Sequence, residues 1–543
     1  MSVGRLIGGV AVLGIGIFLN WLLLPAWSIE SIGMWFFILA MAIIAVVIFG
    51  LVESFEYVGS FTCTIASGVV AGIAVVGLLI GGLSSWALFR ADDYHHIIEI
   101  EEGNFEEDVS KMSEDSFWPI VDLETAQKVG DRSIGSVKNA SWYEVSDEYD
   151  LIKYKGEYYR ISDLQYGGLF KYNKAKAYGI PGSVLVNIAT QEAQYVELED
   201  SIRYAPTGCF KHNLSRHLRN AYPSYIFGKT FFEIDEEGNP YYITGIQTPT
   251  IGFSGKKQDR VVITNAVTGE NKIYDISDLP EWVDHAFGVS YLMKLVENNQ
   301  SYINGFWNNL FSKTGVNRTS YYFEIHSTEE EEETVVGAGY NTAITSTGEI
   351  VFYTGVTPAS NAETNIGFIL ASPRSGEVKF YSCTGADEYS AQKAAEGLVS
   401  NLRYTATFPT IINVDGEETY FMLLKDGAGL VQRYALCNVE NYTKVVQAET
   451  IEEVLGFYRG EVNIEAPEST NIKKASGTIS NIYRAEIGGF TYFYFTLGNS
   501  DKLYMSSIEN SNKQVMLDVG TSVKLSYVAS SEEGVYIVKE ISF

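Results

Sequence analysis

The chain has 543 residues, 20% charged and 46% apolar, with a formal net charge of −28. So acidic a surface repels phosphate backbones, which sets nucleic acid aside as a partner. Cys63, Cys209, Cys383 and Cys437 lack C-x-x-C spacing, which excludes a zinc ribbon or redox motif and favours free, buried thiols over a disulfide framework.

Three apolar stretches fill the amino-terminal end: Leu6–Trp27, Met34–Val52 and Ile65–Phe89. Each is long enough for a helix that crosses a hydrocarbon core, which takes about 20 residues. The first is longer than a secretory h-region and no A-x-A site closes it, so it is expected to be retained. Arg5 precedes the first span and Arg90 follows the third, while the intervening segments carry Glu30, Glu53 and Glu56 but no cation. That asymmetry favours a cytoplasmic start, and three crossings then put the large remainder outside. Residues 1–91 are thus expected to anchor a multi-pass protein of the cell membrane with an extracytoplasmic carboxy-terminal part. Gly68 and Gly72 form a small-x-x-x-small pair, a helix-packing face within the bundle or between copies.

Residues 92–145 are acidic and helix-prone, broken by Phe117-Trp118-Pro119, with a short amphipathic helix over Leu123–Gly130. They are expected to form a juxtamembrane stalk. Beyond them Tyr and Phe become abundant and a loose unit recurs four times: module 1 over 146–228, module 2 over 229–310, module 3 over 335–402 and module 4 over 403–470. Each opens on a hairpin about a polar turn such as Lys155-Gly156-Glu157 or Asp415-Gly416-Glu417-Glu418. A second strand pair follows, turning at Thr268-Gly269-Glu270 in module 2 and Ser375-Gly376-Glu377 in module 3. A helix closes each unit: Phe210–Asn220, Glu281–Glu297, Asp387–Ser400 and Ile451–Phe457. Thr450 and Glu453 make a capping box for the last. Antiparallel strands followed by one helix bury themselves as an α+β sandwich.

The (Thr/Ser)-Gly-Glu strand pairs resemble PepSY-type domains, in which a helix packs on an antiparallel sheet. The strings Trp118-Pro119-Ile120-Val121-Asp122, Leu279-Pro280-Glu281-Trp282-Val283-Asp284, Gly385-Ala386-Asp387-Glu388 and Leu424-Lys425-Asp426-Gly427-Ala428-Gly429-Leu430 resemble an uncharacterised family of bacterial multi-pass membrane proteins with large outside domains. That resemblance implies location and architecture but no activity. The tail, 474–543, holds five short strands punctuated by glycine and is similar to an OB-type small β-barrel. Phe490, Tyr492 and Tyr494 share one strand face, a protein-contact surface, with Phe493 and Phe495 on the other.

No catalytic signature emerges. His212 and His217 are five apart, where two imidazoles on one helix face need four. His95-His96 beside Asp92 and Asp93 is better read as a solvated cluster at a span mouth than as a cation site. Ser254 in Gly252-Phe253-Ser254-Gly255 falls short of a nucleophile elbow. No phosphate loop occurs, and Glu329–Glu333 lacks the alternating ligand spacing of a calcium loop, leaving an exposed connector. With no cofactor or metal assigned, the expectation is a non-enzymatic scaffold, adaptor or regulatory subunit that binds other envelope proteins through an exposed sheet edge. The alternatives are a homo-oligomeric shell protein and a component of an enzyme or transport complex whose site forms on assembly.

Overall fold

The computed structural model describes residues 3–55, 61–114, 116–137, 139–322, 339–360, 364–460, 472–487, 490–498, 500–507, 512–529 and 534–543. Helices α1 (Val3–Leu23), α2 (Ile32–Phe55) and α3 (Thr62–Ser84) are each long and apolar enough to cross a membrane. At 1.5 Å per residue they run about 32–36 Å, against a hydrocarbon core of about 30 Å. α2 packs on both of its neighbours, and the seams set large side chains into glycine notches. A Cβ on Gly77 would lie 2.5 Å from the Trp35 ring, and one on Gly16 would lie 3.1 Å from Met41. A Cβ on Gly68 or Gly72, by contrast, would meet no described atom within 4 Å. The Gly68/Gly72 pair is therefore not a seam within this bundle, because α3 turns Gly77 toward α2 instead.

At one end of the bundle the buried Glu53 carboxylate closes the start of α3. It accepts from Cys63 N at 3.0 Å, Thr64 N at 3.3 Å and Thr64 Oγ1 at 2.7 Å, and Arg5 Nε donates to it at 3.0 Å. Orphan amides, a carboxylate and a guanidinium thus satisfy one another and join all three helices. The opposite end meets the soluble part. Trp27 N donates to Pro223 O at 2.8 Å, and Phe253 N donates to Ser85 Oγ at 2.7 Å. The α1–α2 loop and the exit of α3 therefore lie on one side, as three crossings require. Helix α4 (Ala87–His95) leads onward from that exit.

Among the described residues, the soluble region ahead of the tail holds four mainly antiparallel sheets. The first has the order Tyr143–Val145, Glu157–Tyr166, Ile180–Asn187, Ala193–Ile202, with Asp150–Tyr154 also on Glu157–Tyr166. Lys155 and Gly156 both take positive φ, 52° and 84°, the two-residue turn whose twist suits a hairpin. The second sheet is the meander Ile226–Ile234, Pro240–Ile251, Ser254–Asn265, Asn271–Asp275. The third centres on Ile350–Pro358, Thr364–Ala371 and Val378–Ala386, and the fourth on Glu417–Lys425, Val431–Asn438 and Val445–Ala448.

The longer helices described in this region are α5 (Leu123–Ser133), α6 (Leu169–Ala175), α7 (Leu214–Ala221), α8 (Val289–Ser301), α9 (Glu388–Leu398) and α10 (Ile451–Arg459). Three of them are shared between sheets. Leu214 and Leu218 of α7 enter one core with Val184 of the first sheet and Tyr242 of the second. Leu292 and Met293 of α8 bridge Val261 of the second sheet and Ile369 of the third. Ala391 and Ala395 of α9 lie between Tyr353 of the third and Tyr420 of the fourth. The modules therefore stack as alternating sheet and helix, with three of these helices each coated by apolar side chains on two sides. α10 covers the fourth sheet, and both halves of the Thr450/Glu453 capping box are made.

Residues 92–145 do not form a stalk. Glu101–Glu102 adds a parallel strand beside Lys379 and Phe380. Phe105 and Val109 enter the core between the third and fourth sheets, and Trp118 stacks edge-on against Phe421 at 5.1 Å. α5 then packs on the first sheet. An acidic surface hides these widely spaced apolar anchors, so the segment is a strap across the whole stack.

The tail closes into a five-stranded barrel: Lys473–Ile487, Phe490–Leu497, Leu503–Ser507, Ser522–Ala529 and Val535–Ser542. Taking these as strands one to five, the order is 1-2-3-5-4 and back to 1, with the third and fifth parallel. A short 3-10 turn, Asn512–Met516, lies between the third and fourth strands. The alternation predicted for the second strand holds, with Phe493, Phe495 and Leu497 filling the barrel.

Candidate functional site

All four modules and α5 wall one cavity of about 440 Å³. Two of its charges come from adjacent register positions on neighbouring strands of the first sheet: Asp150 opposes Ile161, and the next residue, Leu151, opposes Arg160. Arg160 is 8% exposed and its guanidinium donates to Val121 O and Tyr149 O, both at 3.4 Å, which draws strap and sheet together. Lys229 lies on the second sheet where a bulge between Phe227 and Thr230 shifts the register. Its Nζ stands 3.4 Å from Glu148 Oε2.

His285 comes from the loop between Asp278 and α8, and Glu233 fixes it. That carboxylate, fully buried on strand Ile226–Ile234, accepts from His285 N at 2.7 Å and Asp284 N at 2.9 Å. It lies 3.0 Å from His285 Nδ1, which makes Nδ1 a protonated nitrogen. Phe231, Phe352, Tyr340 and Phe408 supply aromatic wall.

Burial pushes the Asp150 carboxyl up, while His285, Lys229 and Arg160 pull it back. Burial pulls His285 down, but Glu233 outweighs it and the imidazole is held above its ordinary range. Burial likewise lowers Lys229 less than Asp150 and Glu148 raise it. Nearby, burial and the Glu233 charge push Asp284 up to about 7. The site thus sets a histidine and ionisable groups of both signs against aromatic rings. Such a lining has the chemistry to orient an amphoteric ligand or side-chain cluster.

Of these residues the sequence singled out none for this place. His285 directly follows the string Leu279-Pro280-Glu281-Trp282-Val283-Asp284, and that string was the available signal. Glu233 and Asp150 were lost among 67 acidic residues.

The other candidates are accounted for separately. His95 Nδ1 lies 2.7 Å from Asn299 O, and His96 Nδ1 2.9 Å from Asp92 O, at the rim of a second cavity of about 580 Å³. Among the described residues no three His, Cys, Asp or Glu side chains gather as for a metal. His212 meets Tyr172 OH at 3.0 Å and His217 meets Gly269 O at 2.7 Å, so the two serve different contacts. Ser254 opens a strand after a tight turn and is not on a strand-to-helix elbow. All four cysteines are free thiols; burial pushes Cys383 and Cys437 up to about 12. Tyr492 is 2% exposed, which removes it from any open contact face, and Tyr494 is half-buried. The side chain of Phe490 and the run Glu329–Glu333 lie outside the described residues.

No family model, curated protein or solved structure matches this chain.

Proposed function

We propose that this chain is a membrane-anchored, extracytoplasmic scaffold or regulatory subunit of the bacterial envelope that engages other envelope proteins. One observation carries the reading: the cavity bounded by all four modules, where Asp150, Arg160, Lys229 and His285 converge. A site at a junction of modules senses and fixes their packing, so a partner's charged segment seated there biases the whole stack. Opposed charges within one cavity favour selection of a segment carrying both signs. The PepSY-like arrangement of helix on antiparallel sheet and the OB-like tail agree with a binding role.

The test is crosslinking in intact membranes followed by mass spectrometry of the neighbours, run on the native chain and on Lys229→Glu. A discrete hetero-complex lost in the variant is the expected result. A ladder of self-adducts alone, unchanged by the substitution, would sink the reading. Protease added to intact cells is expected to digest the soluble part. The homo-oligomeric alternative has one observation in its favour: Gly68 and Gly72 face no described part of this chain and so present a flat strip for a second copy.

A further inference from the structure

Residues 169–191 and 201–219 contain seven Lys and Arg and no Asp or Glu, in a chain of net charge −28. The two stretches fold against each other. Tyr172 OH donates to Cys209 O at 2.9 Å, and Arg203 donates to Ala177 O at 2.9 Å just past α6. The second stretch is fastened to the bundle. Arg216 donates to Trp21 O at 3.2 Å with its guanidinium 4.2 Å from the Trp21 ring, and Arg219 donates to Leu24 O at 3.1 Å.

Trp21 lies two residues before the end of α1, the depth at which tryptophan marks the boundary between acyl chains and headgroups. Phe210, its ring 6.2 Å from that of Trp21, is 57% exposed. On the adjoining α6, Phe170 is 87% exposed and Leu169 58%. Around them Lys174, Lys176 and Lys211 are exposed, while Lys171 pairs with Glu144 at 2.7 Å. Bare aromatic and aliphatic side chains ringed by lysine, at the level of the lipid headgroups, are the composition of an interfacial membrane segment.

We propose that α6 and the Cys209–His212 turn form a lipid-contact face that binds the anionic phosphate headgroups of the adjacent leaflet, with Phe170 and Phe210 at the acyl boundary. It serves a purpose the spans alone do not: it fixes the tilt of the first module on the bilayer. Elsewhere the acidic surface is repelled by the same leaflet, so this basic face sets which side of the stack turns down. The inference stands apart from the proposed function above, since it needs no protein partner.

The test places the full chain in nanodiscs of phosphatidylcholine, with and without phosphatidylglycerol, and follows amide hydrogen exchange across 169–176. The expected result is exchange slowed on the order of 100-fold by phosphatidylglycerol and restored by salt, with the effect abolished in K174E/K176E/K211E, each lysine contributing roughly fivefold. Exchange across Ile180–Asn187 is expected to stay unchanged, which shows that the variant is folded, and a K174Q/K176Q/K211Q variant is expected to fall between. Equal exchange in both lipids, a lipid effect that survives the charge reversal, or the same protection from inorganic phosphate in phosphatidylcholine discs would each overturn it.

Discussion

Trp118→Ala tests whether the strap belongs to the core. Trp118 is 5% exposed, meets the Phe421 ring edge-on at 5.1 Å and donates from its indole nitrogen to Ser113 O at 3.0 Å. Truncating a buried tryptophan costs about 3–5 kcal/mol in lost transfer energy and cavity, and the ring pair accounts for about 1 kcal/mol of that. The loss falls where Trp118 packs, on Val446, Leu455 and Tyr458 around the fourth sheet. If opening of that sheet governs its amide exchange, about 3–5 kcal/mol corresponds to acceleration of roughly 10²- to 5 × 10³-fold. Hydrogen exchange of the detergent-solubilised chain, resolved over Glu417–Lys425 and Val431–Asn438, reads this directly. A control, Trp307→Ala at a ring 60% exposed, is expected to change little. Acceleration under threefold in Trp118→Ala, matching the control, would restore the picture of a detached stalk and refute the reasoning.

Glu233→Ala removes the acceptor for Asp284 N, His285 N and His285 Nδ1 at once, and about 3–5 kcal/mol of destabilisation is expected in a thermal melt because buried donors lose their partner. Asp163, buried and held by Tyr242 OH at 2.7 Å, is pushed up to about 7. The folded protein thus binds that proton more tightly than the unfolded chain does, and this contribution, full in acid, is lost as pH rises from about 4 to about 7. Asp163→Asn is expected to flatten that decline, as followed by urea midpoints across the range. In the bundle, Gly77→Val drives a side chain into the Trp35 ring and is expected to cost about 1–3 kcal/mol, while Gly72→Val is tolerated within one chain. Helix association in bilayers, read by energy transfer between labelled spans, separates the two.

Local signals carried far in this sequence. The spans declare themselves by length and apolarity, the hairpins by Gly-bearing turns and the start of α10 by Thr450 and Glu453, because each of those features is decided by residues close in sequence. What failed was decided at long range. The helix expected at Glu281–Glu297 begins only at Val289, because residues 281–287 are claimed by distant partners. Arg374 donates to Glu281 O and Val283 O, Ala286 N and Phe287 N donate to Pro373 O, and Glu233 gathers Asp284 and His285. The strap looked solvated because Phe105, Val109 and Trp118 follow no period, and the sheets that bury them come some three hundred residues later, as the Asn413–Val109 hydrogen bond illustrates. The charged cavity was illegible for the same reason: its walls come from four modules, and no window of sequence contains two of its opposed charges together with His285.

The strap's position also dictates an order of assembly. It leaves the ribosome ahead of every surface that shelters it, and Lys425 reaches back 301 residues to Glu124. Translation must therefore proceed through the fourth sheet before Phe105 and Trp118 find cover, so the nascent chain carries greasy, unprotected anchors for most of its synthesis. Any product that stops short of Val446 would retain its spans and its early sheets yet remain sticky. Such fragments are natural clients for holdase chaperones and quality-control proteases.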